Sequence, residues 1–75
     1  MTGFPNRATV ERVKAAYPKG TRVELIEMND PQAPPIGTRG TVVAVDDTAS
    51  LIMNWDNGSG LNVVYGEDRV RVVSD

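Results

Sequence analysis

A chain of 75 residues with net charge −2, no cysteine and no histidine excludes several classes of protein. Disulfides, thiolate nucleophiles, imidazole acid–base catalysis and the usual zinc sites need residues that this sequence lacks. No apolar run approaches the roughly 18 residues that cross a bilayer, and the first ten residues lack the apolar core of a signal peptide. We therefore expect one compact intracellular domain without membrane association.

Charge is divided unevenly along the chain. Residues 1–22 carry five basic residues against one acidic residue, a net charge of +4, whereas residues 23–75 carry three arginines against nine carboxylates, a net charge of −6. Because phosphate neutralisation by Lys and Arg supplies most non-specific affinity for nucleic acid, only the first segment would attract a phosphate backbone. The alternative is that the two segments attract each other.

The first predicted element is a helix from roughly Asn6 to Tyr17, within a helix-and-connector segment that spans residues 1–20. Asn6 is a suitable N-cap, since its side-chain oxygen can accept a hydrogen bond from the first turn. A narrow apolar stripe recurs at helical spacing: Val10, Val13 and Tyr17. A single stripe over about three turns is marginal in isolation, so the helix is expected to dock on its own domain or, through its basic face, on a partner or another subunit.

Residues 21–75 show the pattern of short strands. Five are predicted, at spacings of about ten residues: 21–26, 41–45, 51–55, 61–63 and 70–72. A long loop at 28–36 separates the first two, and the second strand is apolar enough to be buried on much of both faces. Five short strands in so few residues bury one core only by curling, which predicts a mainly β protein with a small closed barrel and one N-terminal α-helix.

The only tryptophan precedes the sharpest turn signal of the chain. Leu51, Met53 and Trp55 alternate, which places the indole on the core face of the third strand. Asn57-Gly58 is typical of a type I′ hairpin, in which both central residues have positive φ. We interpret Trp55 as a core residue; the alternative is a surface platform for a ligand.

Two sets of residues resemble known families. VEL at 23–25, a loop and GTRGTV at 37–42 resemble the strand–loop–strand of SH3-like barrels, including the KOW type of ribosomal and transcription proteins. A longer set resembles the family catalogued as domain of unknown function 4314: YPKGTRVEL at 17–25, DPQAPPIGTRGTV at 30–42, WDNGS at 55–59 and GED at 66–68. This resemblance implies an SH3-like barrel carried by phages, prophages and their Gram-positive hosts. With the five predicted strands, we expect a five-stranded SH3-like barrel in the cytoplasm of a bacterial host cell. The resemblance implies no established activity.

Candidates for catalysis are few. Asp46-Asp47 could ligate a metal or act as a general base, but adjacent residues on a turn point apart and solvated turn aspartates are the commoner case. Glu67-Asp68 is expected to accept turn N–H bonds or to pair with Arg69 or Arg71. We therefore predict a protein that is not an enzyme, with no catalytic residue, no metal site and no cofactor.

Binding is the remaining function class. In SH3-like barrels, ligands usually meet the long loop after the first strand and the facing turn, which correspond to residues 28–36 and 56–60. Prolines hold the long loop extended and so lower the entropy lost on binding, or else they protect an edge strand from pairing. The candidate binding residues are Pro34, Pro35, Arg39, Asp56, Asn57, Tyr65, Arg69 and Arg71.

Three functions are consistent with the sequence. The first is a phage- or prophage-encoded accessory module that binds a host or phage protein. The second is a homo-oligomer that sequesters an anionic, cyclic nucleotide signal of host defence, with Arg39, Arg69 and Arg71 converging across an interface. The third is a KOW-like RNA- or DNA-binding barrel. Two features of the sequence disfavour it: the net charge of −6 on residues 23–75 and the lack of interleaved aromatic residues for base stacking.

Overall fold

The computed structural model describes residues 6–74, which begin with a helix. Helix α1 spans Arg7–Ala16, and the Asn6 side chain caps it by accepting a hydrogen bond from the Thr9 amide at 2.8 Å. The Tyr17 amide closes the last turn by donating to the Val13 carbonyl. The predicted helix and its N-cap are confirmed.

Four strands form a single antiparallel sheet in the order β3-β2-β1-β4. Their bounds are Arg22–Glu27 for β1, Arg39–Val45 for β2, Leu51–Trp55 for β3 and Arg69–Val72 for β4. β1 lies in the interior beside β2, and the long loop between these two strands matches the loop expected from the sequence. β3 and β4 are the two edges of the sheet.

The prediction of a fifth strand and a closed barrel is wrong for the described residues. The segment 61–63 makes only one isolated bridge, between Leu51 and Val63, whose backbone groups exchange hydrogen bonds of 2.9 and 3.0 Å. Next to it, the Asn62 side chain accepts the Met53 amide in place of a backbone carbonyl. Because a side chain takes the position of a strand neighbour, the ladder does not extend, and the sheet in residues 6–74 is open.

The core lies on one face of the sheet. Its buried members are Val23, Leu25, Val42, Leu51, Met53, Trp55 and Val63. Val42 is fully buried, but Val43 is 43% exposed, so the predicted burial of β2 on both faces is wrong. The sheet is covered on one side, and alternation along the strand therefore sends Val43 to solvent.

Helix α1 covers part of that core. Val10 is buried, and Val13 and Tyr17 pack against the core cluster. The predicted apolar stripe is therefore the face by which the helix packs on its own sheet rather than on a partner. Its exposed side carries the basic residues Arg7, Arg12 and Lys14.

Trp55 is a core residue, as predicted. The residue is 2% exposed, and its indole N–H donates to the Leu61 carbonyl at 2.7 Å. The predicted type I′ turn after it is wrong, because Gly58 has φ +90° while Asn57 does not have positive φ. The Gly58 amide donates to the Trp55 carbonyl, and this three-residue loop needs only one left-handed residue.

Candidate functional site

The open side of the sheet leaves a groove of about 270 Å³ beside helix α1. We call it the Tyr65 groove; its lining is Val13, Tyr17, Ala49, Leu51, Val63, Tyr65, Gly66, Asp68, Arg69 and Val70. Leu51 belongs to one edge strand and Val70 to the other. The groove therefore lies between the two edges of the sheet, where a closed barrel would have continuous strand pairing. Most of its lining is apolar, with one carboxylate and one guanidinium at the border.

A short turn holds Tyr65 at the mouth of this groove. The Asp68 carboxylate accepts the Val64 amide at 2.8 Å, and the Val64 carbonyl accepts the amides of Glu67 and Asp68. Gly66 has φ +83°, which glycine adopts without steric cost. The turn leaves Tyr65 49% exposed on a backbone that is fixed at several points. The expectation that Asp68 accepts a turn N–H is confirmed.

Two of the three candidate arginines meet on one carboxylate. Arg39 and Arg71 stand on either side of Glu24 in the register of β2, β1 and β4. The same Glu24 oxygen, Oε1, lies 2.7 Å from Nη2 of Arg71 and 3.8 Å from Nη2 of Arg39. This row crosses the face of the sheet opposite the core, since Glu24 alternates with the buried Val23 and Leu25.

The third arginine, Arg69, does not join this row. Its Nη1 lies 3.8 Å from Oε1 of Glu27, and both side chains are well exposed. Arg69 instead borders the Tyr65 groove. Each of the three arginines therefore already has a carboxylate neighbour within its own chain.

The predicted turn residues Asp56 and Asn57 both make contacts within the chain. Asp56 forms a two-pronged pair with Arg22, with N–O distances of 2.8 and 2.6 Å, and Arg22 also donates to the Thr41 hydroxyl. The Asn57 side chain accepts the Ser59 amide at 3.0 Å. The Arg22–Asp56 pair joins the basic segment of residues 1–22 to the acidic segment of residues 23–75. It is an example of the expected attraction between the two segments.

The long loop at residues 28–36, which contains three prolines, has buried and exposed parts. Pro34 is buried, whereas Pro35 and Ile36 are exposed. The Asp30 side chain accepts the Gln32 amide, and the Gly37 amide donates to the Leu25 carbonyl, so both ends of the loop are fixed. Pro34 thus contributes to packing, whereas residues 29–32 and the part of the loop around Pro35 face solvent.

Asp46 organises the turn between β2 and β3. Its Oδ1 accepts hydrogen bonds from the Thr48 hydroxyl and from the amides of Thr48 and Ser50, at 2.7, 2.9 and 3.0 Å. The Thr48 hydroxyl, followed by the two amides, lowers the pKa of Asp46 below its usual value of 3.8, although partial burial opposes this. These contacts hold Ala49 at φ 63°, an uncommon conformation for a residue with a Cβ.

Residues 6–74 contain no group of three or more acidic side chains placed to hold a metal ion. No helix in the described range has the length and apolar character needed to span a bilayer. Within that range, the arrangement presents an apolar groove and a row of paired charges.

One family model matches residues 6–73, that of the Domain of unknown function (DUF4314). The chain belongs to this family. No curated protein and no solved structure is significantly similar to it. The match covers all four strands and the helix of this DUF4314 protein, so the Tyr65 groove lies wholly within the family domain.

The sequence pattern does not indicate the roles of several residues that shape the surfaces of this DUF4314 domain. The pattern around Glu24 predicts only a strand, yet two candidate arginines meet on this residue. The helical spacing of Tyr17 and Val13 predicts packing of the helix, yet both residues also line the Tyr65 groove. The helical spacing of Val13 and Tyr17 indicates an apolar stripe, but it does not show that part of this stripe borders a groove beside the segment 61–63.

Proposed function

We propose that this DUF4314 protein is a non-catalytic binding module that binds a partner protein through the Tyr65 groove. The exposed Tyr65 on a fixed turn, beside an apolar groove, is the observation that carries the proposal. Tyrosine contributes large contact area at low conformational cost and is common at binding hot spots. A volume of about 270 Å³ accommodates one or two apolar side chains of a partner.

We further propose that the domain is SH3-like and that the protein originates from a phage or prophage. A strand, a long loop and a second strand that pairs with it, as in β1 and β2, support an SH3-like architecture that remains open in residues 6–74. The resemblance implies a protein of phages, prophages or Gram-positive bacteria, and our proposal is that it is a phage or prophage accessory protein acting in the bacterial cytoplasm. The partner is then a phage or host protein.

The test compares capture of proteins from a lysate of the host bacterium by three forms of the immobilised protein. Tyr65→Ala is expected to lose at least tenfold of a protein that the unmodified form captures, with an unchanged melting temperature. Val64→Ala is the matched control, since Val64 is a neighbouring exposed residue, 40% exposed, outside the groove lining. Equal capture by Tyr65→Ala and Val64→Ala would contradict the proposal.

A second candidate is the binding of an anionic nucleotide, and the Arg39–Glu24–Arg71 row favours it. Two guanidiniums near one carboxylate oxygen leave the row with a net positive charge, suited to phosphate. Extraction of small molecules from the purified protein tests this candidate. A nucleotide that copurifies with the unmodified protein and with Tyr65→Ala, but not with Arg71→Gln, would replace the first proposal with this one.

Nucleic acid is the third and least supported candidate. The basic side chains of α1 are exposed, but residues 23–75 carry a net charge of −6. Any binding to DNA or RNA is expected to be weak and to fall steeply as salt rises.

A further inference from the structure

The two edge strands of the sheet differ in whether their outward-facing backbone amides already have acceptors. Along β3, the amides that face away from β2 all have acceptors: Trp55 donates to the Ser59 carbonyl, Met53 to the Asn62 side chain and Leu51 to the Val63 carbonyl. A further strand therefore has no free donors to pair with on β3.

The edge at β4 is open in the described part of the chain. The Val73 amide donates to the Arg22 carbonyl at 2.9 Å, and Arg71 is opposite Glu24, so alternate residues of β4 direct their backbone groups toward β1. In an antiparallel ladder the intervening residues, Val70 and Val72, point theirs away from it. No described segment lies on that side of β4.

Grooves run along both faces of this edge. Val70 and Arg69 border the Tyr65 groove on the core side. A second groove, of about 420 Å³, borders the strand with Arg39, Arg71, Val72, Val73 and Ser74. A strand laid along β4 would place alternate side chains toward these two different surroundings, apolar on one face and basic on the other.

The positive charge of β4 favours some strands over others as pairing partners at this edge. Arg69 and Arg71 are 74% and 59% exposed at their side chains. In a pairing of two copies centred on Val70 or Arg71, arginines would face arginines, which is destabilising. An acidic strand meets the opposite situation, because its carboxylates would lie across from the guanidiniums. In these two registers the short basic edge resists self-pairing, and it favours an acidic segment.

We infer that an extended, acidic segment of the partner protein adds to β4 as a further strand. This inference rests on the proposed function and specifies how the partner is bound. Backbone hydrogen bonds to Val70 and Val72 supply the pairing, apolar side chains of the segment enter the Tyr65 groove, and its alternate acidic side chains lie across from Arg69 and Arg71. The expected recognition pattern is acidic and apolar residues in alternation.

The experiment uses a displayed library of random 12-residue peptides selected on the purified protein. The enriched peptides are expected to alternate acidic with apolar residues over about five positions. One of them is then synthesised, and its dissociation constant is measured by isothermal titration. In its complex, amide exchange at Val70 and Val72 is expected to slow at least tenfold.

Two variants of one residue test the backbone contact. Val72→Pro removes an N–H that points away from β1 and leaves the hydrogen bonds to β1 intact. Edge strands tolerate proline at such outward-facing positions. The proline variant is expected to weaken peptide binding at least tenfold, while Val72→Ala, which keeps the N–H, stays within about threefold of the unmodified protein. Spectra of both variants verify that the sheet remains folded. Arg71→Gln is expected to weaken binding several-fold and to reduce its dependence on salt.

Each contrary outcome has a distinct meaning. Peptides that bind Val72→Pro as well as Val72→Ala overturn strand addition, and if Tyr65→Ala weakens them, protein binding at the groove still stands. Enriched peptides without alternation, or a selection that yields no binder, also overturn strand addition. The lysate capture by Tyr65→Ala and Val64→Ala decides the proposed function independently of these results.

Discussion

Gly40 lies directly beneath the indole of Trp55. The two residues are opposite each other in the register of β2 and β3. A Cβ added at residue 40 would lie 2.7 Å from Cε3 of Trp55, closer than real side chains approach, and 3.1 Å from the Asn54 carbonyl oxygen. The absence of a side chain at Gly40 therefore leaves room for the largest fully buried side chain, that of Trp55.

Gly40→Ala is expected to destabilise the protein by about 1–3 kcal/mol, because the methyl group displaces a ring that is enclosed on all sides. Gly60→Ala is the matched control: nothing lies within 4 Å of a Cβ there and its φ is not positive. Urea unfolding followed by the fluorescence of Trp55 measures both. Equal stability of the two variants would show that the ring shifts without cost.

Trp55→Ala is expected to cost about 3–5 kcal/mol, enough to unfold much of a population of so small a domain. Trp55→Phe keeps most of the apolar contact and loses the hydrogen bond to the Leu61 carbonyl, so a smaller loss is expected. Circular dichroism during thermal unfolding measures these changes without the tryptophan. A melting temperature unchanged in Trp55→Ala would contradict the core assignment.

The contribution of Asp46 to stability is expected to depend on pH. Its folded-state pKa is lowered, so its contribution is present above the usual pKa of 3.8 and is lost as pH falls through the folded value. Asp46→Asn is expected to cost about 0.5–1.5 kcal/mol at pH 7, since an amide oxygen accepts more weakly than a carboxylate. The difference between the two proteins should shrink below about pH 3.8.

Asp47→Asn is the control for that measurement, because Asp47 is adjacent and exposed. Its free energy of unfolding should follow the unmodified protein across the pH range. A constant difference between the unmodified protein and Asp46→Asn down to pH 2.5 would mean that the turn does not depend on the charge.

The Arg22–Asp56 pair is expected to contribute more than the Arg69–Glu27 pair. The first is two-pronged, with a closest distance of 2.6 Å and Arg22 only 23% exposed, whereas the second spans 3.8 Å between exposed side chains. Double-mutant cycles with alanine should give a coupling of about 0.5–1 kcal/mol for the first pair and near zero for the second. Salt at 1 M should weaken the first coupling. Equal couplings would show that geometry is not the deciding factor.

Local patterns predicted the elements that depend on neighbouring residues. Asn6 as N-cap and the stripe Val10, Val13, Tyr17 were readable because capping and helical spacing act within a few residues. The alternation of Leu51, Met53 and Trp55 placed the indole in the core for the same reason. The prediction of a type I′ turn was wrong because Asn57-Gly58 also suits a three-residue loop in which only the glycine is left-handed.

The sequence alone thus determined the helix, the positions of the four strands and the core face, because periodicity and turn chemistry are local properties. Membership of the family was determined by the sequence too, through longer segments that match the family. The tertiary structure decided the rest. Whether residues 61–63 complete a barrel depended on the Asn62 side chain occupying the β3 edge. Whether the arginines converge depended on register across three strands, which brings Arg39 and Arg71 to Glu24 and sends Arg69 to Glu27. These contacts join residues far apart in the chain, so only the folded backbone brings them together.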